Sequence, residues 1–168
     1  MHQAFRNLFN RTIFLGNLNL KIISLPLFIV IMEIVKKSVD ISSYLKRLKQ
    51  NSKKIGFIPT MGALHDGHLS LINCSKQNDD FTVVSIFVNP AQFNDPDDLK
   101  KYPRYIEKDI KMLKDSNCDL LFIPEESEIY PSDFNMNFNF GDLENLMEGK
   151  YRPGHFKGVG KVVYRFFE

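Results

Sequence analysis

Short apolar segments alternate with helix-like segments through the middle of the chain, and this alternation restricts the fold more than any other feature. The apolar segments are residues 55–58, 81–88 and 119–124, and between them residues 68–76 and 106–116 repeat apolar side chains at helical spacing. Segments that are apolar on both faces are typical of buried parallel strands, and helices between them supply the crossovers. We therefore predict an α/β fold, with a parallel sheet flanked by helices and right-handed connections.

One more helix is expected before the first strand, at residues 38–49, where apolar side chains share one face. In the helix at 68–76, we expect Leu71, Ile72 and Ser75 to face the sheet. These contacts would cover both faces of the sheet with helices.

The pattern changes after Pro131. Residues 135–140 alternate Asn with Met or Phe, which predicts a half-exposed edge or hairpin strand. A short helical piece is expected at 141–147, a glycine-rich polar loop at 148–158, and a helix at 159–167.

Composition and charge narrow the class of protein. The chain has 168 residues, of which 43% are hydrophobic and 25% charged, with a net charge of +2; such values are ordinary for a globular domain. The basic excess lies in residues 1–31, so residues 32–168 offer no basic field for nucleic acid. Cys74 and Cys118 are far apart and form no C-x-x-C motif, which favours reduced thiols and a cytoplasmic location over a disulfide framework or zinc site.

Residues 1–31 differ in character from the rest of the chain. They end in an apolar run, 22–31, that Pro26 interrupts, and the run is about half the roughly 20 residues of a membrane-spanning helix. No small-x-small cleavage site follows it. We expect a disordered leader or a mis-assigned start, with Met32 as the true first residue. A targeting segment is the alternative, and we expect no membrane anchor.

Two loops that carry polar chemistry leave predicted strands at the same edge of the sheet. We call residues 59–68 the histidine turn and residues 89–93 the amide loop. Ligands of open α/β sheets bind beyond the carboxyl ends of the strands, so we expect both loops to border one site.

The histidine turn joins a strand to a helix through Gly62 and Gly67, and it holds His65 and His68 three positions apart. Exposed backbone N–H groups and the helix dipole favour an anion there, and histidine adds donors that can carry charge. Two solvated histidines are an equal alternative at this point. A metal pair lacks a third nearby ligand, and the glycines match neither the G-x-G-x-x-G nor the P-loop pattern.

The amide loop offers the side chains of Asn89 and Gln92, which could orient a polar substrate or simply cap a turn. The acidic residues that follow it, Asp95, Asp97 and Asp98, are interpreted as a solvated loop rather than a metal cluster.

Five segments resemble, in order and at consistent spacing, the pantothenate synthetase (pantoate–β-alanine ligase) family. They read Pro-Thr-Met-Gly-Ala-Leu-His-Asp-Gly-His-Leu-Ser-Leu-Ile at 59–72, Phe-Val-Asn-Pro-Ala-Gln-Phe at 87–93, Tyr-Pro-Arg at 102–104, Ile-Tyr-Pro at 129–131 and Arg-Pro-Gly-His-Phe-Lys-Gly-Val at 152–159. The resemblance covers about residues 32–167 and leaves residues 1–31 as an extension outside the family.

The resemblance implies a Rossmann-like domain of the nucleotidylyltransferase type and a ligation of pantoate to β-alanine that consumes ATP and releases AMP and pyrophosphate. The reaction would pass through pantoyl adenylate, with Mg²⁺ carried on the phosphates and a homodimer as the assembly. By motif position, His68 would be catalytic and His65 would stabilise phosphate charge. Gln92, Asn89 and Pro59 would border the pantoate and β-alanine sites. The residues implied to hold ATP are Met61, Gly62, Ala63, Leu64, His65, Asp66, Gly67 and His68.

The chain also departs from the family pattern. Family members continue with a Gly-Glu-Lys-Asp-like loop, a second substrate glutamine and a Met-Ser-Ser-Arg-like loop, none of which occurs here, and Lys161 stands where a small hydroxyl residue is common. We therefore expect residues 32–168 to be an incomplete domain, truncated before the C-terminal domain, with weak or no ligase activity alone. Another nucleotidylyltransferase and a non-catalytic nucleotide-binding remnant are the alternatives, and the role of His155 is open.

Overall fold

A computed structural model describes residues 32–168, so the predictions made for residues 1–31 concern a segment outside the described range. Four strands and seven α-helices are found within that range, together with 3₁₀ turns at Pro90–Gln92 and Gly141–Asn145. In chain order the elements are β1 (Glu33–Val35), α1 (Ser38–Gln50), β2 (Ile55–Thr60), α2 (Asp66–Asn78), β3 (Phe81–Ile86), α3 (Pro96–Lys101), α4 (Ile106–Asp115), β4 (Leu120–Phe122), α5 (Glu126–Ile129), α6 (Glu148–Tyr151) and α7 (His155–Phe167).

The four strands form one parallel sheet in the order β1-β4-β3-β2. The predicted α/β class with a parallel sheet flanked by helices is confirmed. The histidine turn leaves β2 and the amide loop follows β3, which is the neighbouring strand. Because parallel neighbours end at the same edge, the topology brings the two loops together.

The core has two layers, one on each face of the sheet, because successive strand residues point to opposite sides. Val84 and Leu121 belong to the layer that includes Ile72 of α2 and Leu113 of α4. The other layer holds Val83 and Leu120 with Ile41 of α1 and Val162 of α7. Each fully buried aliphatic side chain contributes about 1.5–3 kcal/mol, so the central strands anchor both layers.

The predicted strand at 135–140 is wrong, because these residues pair with no strand in the described part of the chain. The alternation survives as alternating burial: Met136, Phe138 and Phe140 are half-buried, while Asn135, Asn137 and Asn139 are exposed. The rings pack on α7, where Phe138 lies 6.0 Å from Tyr164 and Phe140 lies 6.4 Å from Phe156 between ring centroids. A helix face has replaced the neighbouring strand as the apolar partner.

The predicted loop at 148–158 is also wrong in part. It contains α6, and α7 begins at His155, four residues before the predicted start of that helix. Gly154 has a φ of 84° at the N-cap of α7, so it is a turn glycine. Gly158 lies inside the helix, where the absence of a side chain serves close packing.

Two smaller differences concern short or surface features. Strand β1 was not predicted, because its three residues are too few to show a period. Ile72 and Ser75 of α2 are buried as expected, but Leu71 is 54% exposed.

No helix within residues 32–168 is both long enough and apolar enough to cross a membrane.

Candidate active site

The histidine turn is a tight link in which two consecutive residues adopt left-handed backbone conformations. Gly62 has a φ of 81° and Ala63 a φ of 51°, and the second of these is costly for a residue with a Cβ atom. The Thr60 hydroxyl, at the end of β2, donates to the Ser85 carbonyl at 2.7 Å and accepts the Gly62 N–H at 3.1 Å. The turn is thereby fastened to the neighbouring strand β3.

A buried carboxylate from α4 holds the rest of this turn. The two oxygens of Asp109 accept the backbone N–H groups of Ala63 at 2.9 Å and Leu64 at 2.8 Å, and Asp109 is only 2% exposed. Hydrogen bonds to a charged acceptor are stronger than neutral ones, and they offset the strain at Ala63.

Sequence reasoning missed Asp109, although one signal was present. It lies on the face of α4 that includes Ile110 and the fully buried Leu113, and a carboxylate on an apolar helix face needs a partner. The partner could not be named, because the two N–H groups lie more than 40 positions away in the chain.

The two histidines cap the start of α2 and each other. The Nδ1 atom of His65, the N-cap residue, accepts the Gly67 N–H at 3.1 Å, and the Nδ1 atom of His68 accepts the His65 N–H at 3.4 Å. An imidazole nitrogen that accepts a hydrogen bond carries no proton, so the proton of each neutral ring is on Nε2. The ring centroids are 4.1 Å apart, so the two imidazoles are neighbours, each with Nε2 as the nitrogen that its capping bond does not use.

The environment of His68 favours its neutral form. Partial burial lowers the pKa of His68 below its usual value, the adjacent His65 lowers this pKa further, and Asp109 opposes both effects. A lowered pKa keeps the ring neutral at pH 7. His68 is therefore arranged to donate a hydrogen bond from Nε2 and not to act as a resident cation.

The expectation that exposed backbone N–H groups of the histidine turn form the anion site is wrong for most of the turn. The N–H groups of Gly62, Ala63, Leu64, His65 and Gly67 all bond to side chains within the protein. The donors that this turn can offer to a ligand are thus mainly the imidazole Nε2–H groups.

The amide loop is organised by Asn89, which is 1% exposed. Its Nδ2 atom donates to Gln92 Oε1 and to the Gly158 carbonyl oxygen, both at 3.0 Å. Its Oδ1 atom accepts the Ala91 N–H at 3.2 Å and the Tyr130 hydroxyl at 2.7 Å. Since every donor and acceptor of this side chain is used, Asn89 supports the loop from behind.

Gln92 lies at the border of a small cavity of about 220 Å³. Its Oε1 atom faces Asn89, so its Nε2 atom remains as a donor. The charged residues around the cavity are two cations, Lys101 and Arg152, and one anion, Asp98. This excess of positive charge suits an anionic ligand. Met61, from the histidine turn, borders the same cavity, which joins the two loops in one site.

A second cavity of about 450 Å³ lies between the strand ends and the segment that connects α3 to α4. Its wall includes Met61, Gly62 and Asp109, together with apolar residues that follow β3 and β4. The site is thus an open cleft along the carboxyl edge of the sheet.

The remaining predicted residues take varied positions. Pro59 is exposed in β2, and Asp66 is the exposed first residue of α2. The Nδ1 atom of His155 lies 3.1 Å from the Gln92 carbonyl oxygen, which makes His155 a support of the amide loop. Lys161 is half-buried in α7. Asp95 caps α3 by accepting the Asp97 N–H at 2.8 Å.

Comparison with known proteins gives the same result by sequence and by structure. The family model described as pantoate-beta-alanine ligase matches residues 33–168. The pantothenate synthetase of Flavobacterium psychrophilum is 52% identical over 139 residues, which are 82% of this chain and 49% of that protein. The pantothenate synthetase of Azobacteroides pseudotrichonymphae is 49% identical over 138 residues, which are 82% of this chain and 49% of that protein.

Two solved structures match with similar coverage. The pantoate-beta-alanine ligase of Francisella tularensis, complexed with beta-gamma ATP and beta-alanine, gives a TM-score of 0.76 at 44% identity and covers 82% of this chain and 52% of that one. The pantothenate synthetase of Thermus thermophilus gives a TM-score of 0.73 at 42% identity, with 81% and 48% covered. The chain spans about half the length of the relatives it matches. Its sequence over residues 33–168 and its fold together make it a member of the pantoate–β-alanine ligase family.

Proposed function

We propose that residues 32–168 form the part of a pantoate–β-alanine ligase that binds ATP and pantoate. The observation that supports this most is the meeting of two loops at one cleft. Met61 of the histidine turn borders the cavity of Gln92, whose amide is fixed by Asn89, and the same turn carries two imidazoles whose Nε2 atoms are not used in its capping. Family membership suggests the substrates, and the Francisella relative was solved as a complex with beta-gamma ATP and beta-alanine.

The proposed reaction has two steps. The pantoate carboxylate attacks the α-phosphorus of ATP, and pyrophosphate leaves to give pantoyl adenylate. The β-alanine amine then attacks the activated carbonyl carbon, loses a proton, and expels AMP to give pantothenate. Adenylation is needed because a carboxylate has no adequate leaving group for attack by an amine.

The role of His65 and His68 is to meet the charge that grows on phosphate oxygens in the first step. Donors that are fixed before the reaction stabilise developing charge without reorganisation, and this is the main contribution of a protein to phosphoryl transfer. Each ring accepts a backbone N–H through Nδ1, from Gly67 for His65 and from His65 for His68, and these bonds fix the direction of both rings. We propose His68 as the catalytic residue, acting as a neutral donor through Nε2, with His65 beside it.

The role of Gln92 is to hold pantoate, with its Nε2 donating to a carboxylate or hydroxyl oxygen. Lys101 and Arg152 border the same cavity and would attract the anionic substrate. Asn89 would act through Gln92 and not through substrate contact, since its side chain is buried and fully bonded. Pro59 would border the cleft only through the backbone that leads into the histidine turn.

Metal and assembly follow the family expectation. Residues 32–168 contain no group of three or more His, Cys, Asp or Glu side chains placed to hold a metal ion. We propose that Mg²⁺ arrives on the ATP phosphates and keeps most of its waters. By resemblance to the family, we also propose a homodimer. Because the chain spans about half the length of its relatives, we propose little or no ligase turnover by residues 1–168 alone.

The test is calorimetry of the 1–168 chain with ATP–Mg²⁺ and with pantoate. His68→Ala should weaken ATP binding about tenfold, and His68→Gln should restore part of it by returning an N–H donor near Nε2. Gln92→Ala should weaken pantoate binding and leave ATP binding unchanged. The matched control is Gln77→Ala, since Gln77 is exposed on α2 away from the cleft.

Each result separates the proposal from its rivals. Pantoate binding that survives Gln92→Ala would remove the assignment of pantoate to Gln92, and ATP binding without any pantoate binding in the wild type would favour another nucleotidylyltransferase. Robust turnover of pantoate, β-alanine and ATP by the purified chain would contradict the expected lack of activity. Failure of ATP to bind at all would contradict both the proposed ATP site and a nucleotide-binding remnant.

A further inference from the structure

Asn89 has one possible amide orientation, and its backbone partners fix it. The Gly158 carbonyl can only accept a hydrogen bond, so the Asn89 atom 3.0 Å from it is Nδ2. The Ala91 N–H can only donate, so the Asn89 atom 3.2 Å from it is Oδ1. The flip of Asn89 is therefore decided by two main-chain groups.

The orientation of Gln92 follows from that of Asn89. One N–H of Asn89 Nδ2 goes to Gly158, and the other points at Gln92 at 3.0 Å. A donor in that place requires an acceptor, so Gln92 turns Oε1 toward Asn89 and presents Nε2 elsewhere. Gln92 borders the small cavity between the two loops.

Tyr130 completes the chain of hydrogen bonds. Its hydroxyl is 2.7 Å from Asn89 Oδ1, which can only accept, so the phenol donates. Burial raises the pKa of Tyr130 to about 12, and this keeps the proton on the phenol at any working pH. Nothing in the sequence marks Tyr130 for this role, because it lies 41 positions from Asn89.

We propose that Tyr130 is a positioning residue which, through its bond to Asn89 Oδ1, holds Asn89 in place against the Gln92 amide, so that the cavity keeps its N–H donors and selects a ligand with a carboxylate or hydroxyl oxygen. The inference rests on the proposed function for the identity of the ligand, pantoate, but the hydrogen-bond relay is a property of the chain itself. The two can therefore fail separately.

The experiment compares Tyr130→Phe with wild type in the 1–168 chain. Loss of the hydroxyl leaves the ring contacts with Phe87 and Phe134 in place. We expect the pantoate Kd to rise roughly three- to tenfold, which is the effect of losing one net hydrogen bond. The ATP Kd should be unchanged. In ¹⁵N spectra, the Gln92 side-chain amide, assigned by its absence in Gln92→Ala, should shift and broaden, because Asn89 keeps its orientation but loses one contact and holds the Gln92 amide less firmly.

The matched control is Tyr44→Phe. Tyr44 is also half-buried and packs on Phe81 with ring centroids 5.5 Å apart, and no group within residues 32–168 bonds to its hydroxyl. Tyr44→Phe should leave the pantoate Kd and the Gln92 amide signal unchanged. A structural role for Tyr130 is separated by repeating Tyr130→Phe in a Gln92→Ala background, where a relay predicts no further loss of pantoate affinity.

The outcomes distinguish the relay from the proposed function. An unchanged Gln92 amide signal in Tyr130→Phe, or an equal loss of pantoate affinity with and without Gln92, would overturn the relay while pantoate binding stands. A Gln92 signal that changes only in Tyr130→Phe, in a chain that does not bind pantoate, would support the relay and overturn the substrate assignment.

Discussion

The histidine turn and the amide loop solve the same problem in different ways. Both must hold a few donors at the carboxyl edge of the sheet, and both use up most of their own polar groups in doing so. The histidine turn is fixed by one buried carboxylate, Asp109, which binds its main chain. The amide loop is fixed by a buried neutral amide, Asn89, which binds α7 and Tyr130.

The difference concerns which part of the chain each loop depends on. Asp109 belongs to α4, between two strands of the sheet, so the histidine turn is supported from within the α/β core. Asn89 depends on Gly158 and Tyr130, and the Gln92 carbonyl depends on His155, so the amide loop is supported mainly by α7. The two loops should therefore respond to different mutations.

The largest effect is expected from Gly158→Ala, which breaks the support of the amide loop. A Cβ atom at Gly158 would lie 2.0 Å from the Ala91 carbonyl oxygen, a main-chain atom that cannot turn aside. The contact between α7 and the amide loop would have to open, at a cost of about 3 kcal/mol in the free energy of unfolding. Urea denaturation of both proteins measures this cost.

Gly160→Ala is the control for that change. Gly160 is in the same helix, but a Cβ atom there meets the Phe140 ring at 2.7 Å, and a side chain can move. We expect a loss of about 1 kcal/mol. Equal losses for the two variants would contradict the dependence of the amide loop on close main-chain packing at Gly158.

The next effect is expected from Asp109→Ala, which breaks the support of the histidine turn. Two N–H groups would lose their acceptor, and the unfolding free energy should fall by about 2 kcal/mol. Asp109→Asn keeps one acceptor oxygen and should lose about half as much. Glu107→Ala, an exposed change on the same helix, should cost less than about 0.5 kcal/mol. Denaturation midpoints and ATP titrations provide the readouts.

Asp109→Ala should also separate the two loops functionally. It should weaken ATP binding more than pantoate binding, because the Asp109 carboxylate bonds, within residues 32–168, only to the histidine turn. An equal loss for both ligands would mean that the loops share one support.

A smaller effect is expected from pH, through His68. Burial and the neighbouring His65 lower its pKa in the folded chain, so the unfolded chain binds the proton more readily. The stability due to neutral His68 is fully present above the usual pKa of about 6.5. It is lost as the pH falls through the lower folded value, because protonated Nδ1 cannot accept the His65 N–H.

The measurement is the melting temperature of wild type and His68→Gln between pH 8 and pH 5. The carboxylates titrate in both proteins, so the difference between the two melting-temperature curves isolates the contribution of His68. Wild type should lose stability faster below about pH 6.5. Parallel curves would show that His68 has the same pKa folded and unfolded.

The smallest effect is expected from Ala63→Gly. The φ of 51° at Ala63 disfavours a Cβ atom, and glycine removes that strain but adds freedom to the unfolded chain. We expect a net gain of about 0.5 kcal/mol in unfolding free energy, with ATP binding unchanged. Thermal denaturation checks it, and a clear loss would mean that Asp109 has already removed the strain.

Local patterns predicted the parts of the fold that depend on neighbouring residues. The central strands were predicted from continuous apolar runs, and Val83, Val84, Leu120 and Leu121 are indeed fully buried. The segment 135–140 shows where this fails. Its alternation recorded alternating burial correctly, but it could not reveal that the apolar partner is α7 and not a strand.

The candidate site likewise contains residues that local motifs predicted and residues that these motifs missed. His65, His68 and Gln92 were identified from short motifs and from the resemblance of those motifs to a family, and the structure places them at one edge of the sheet. Their assignment to ATP and pantoate stays a prediction. Asp109 and Tyr130 were missed, because each acts on a loop more than 40 residues away.

The sequence by itself determined the fold class, the two loops and the family. These follow from hydrophobic period, strand–turn–helix order and motif spacing, which are properties of neighbouring residues. The tertiary structure decided which groups remain free for a ligand. It bonds the N–H groups of Ala63 and Leu64 to the distant Asp109, while nearby side chains take three more N–H groups of the histidine turn and the imidazole Nε2 atoms remain as donors. It also buries Asn89 and leaves Gln92 to face the cavity. The reason is that a hydrogen-bonding group is available only when no distant part of the chain has already bonded to it.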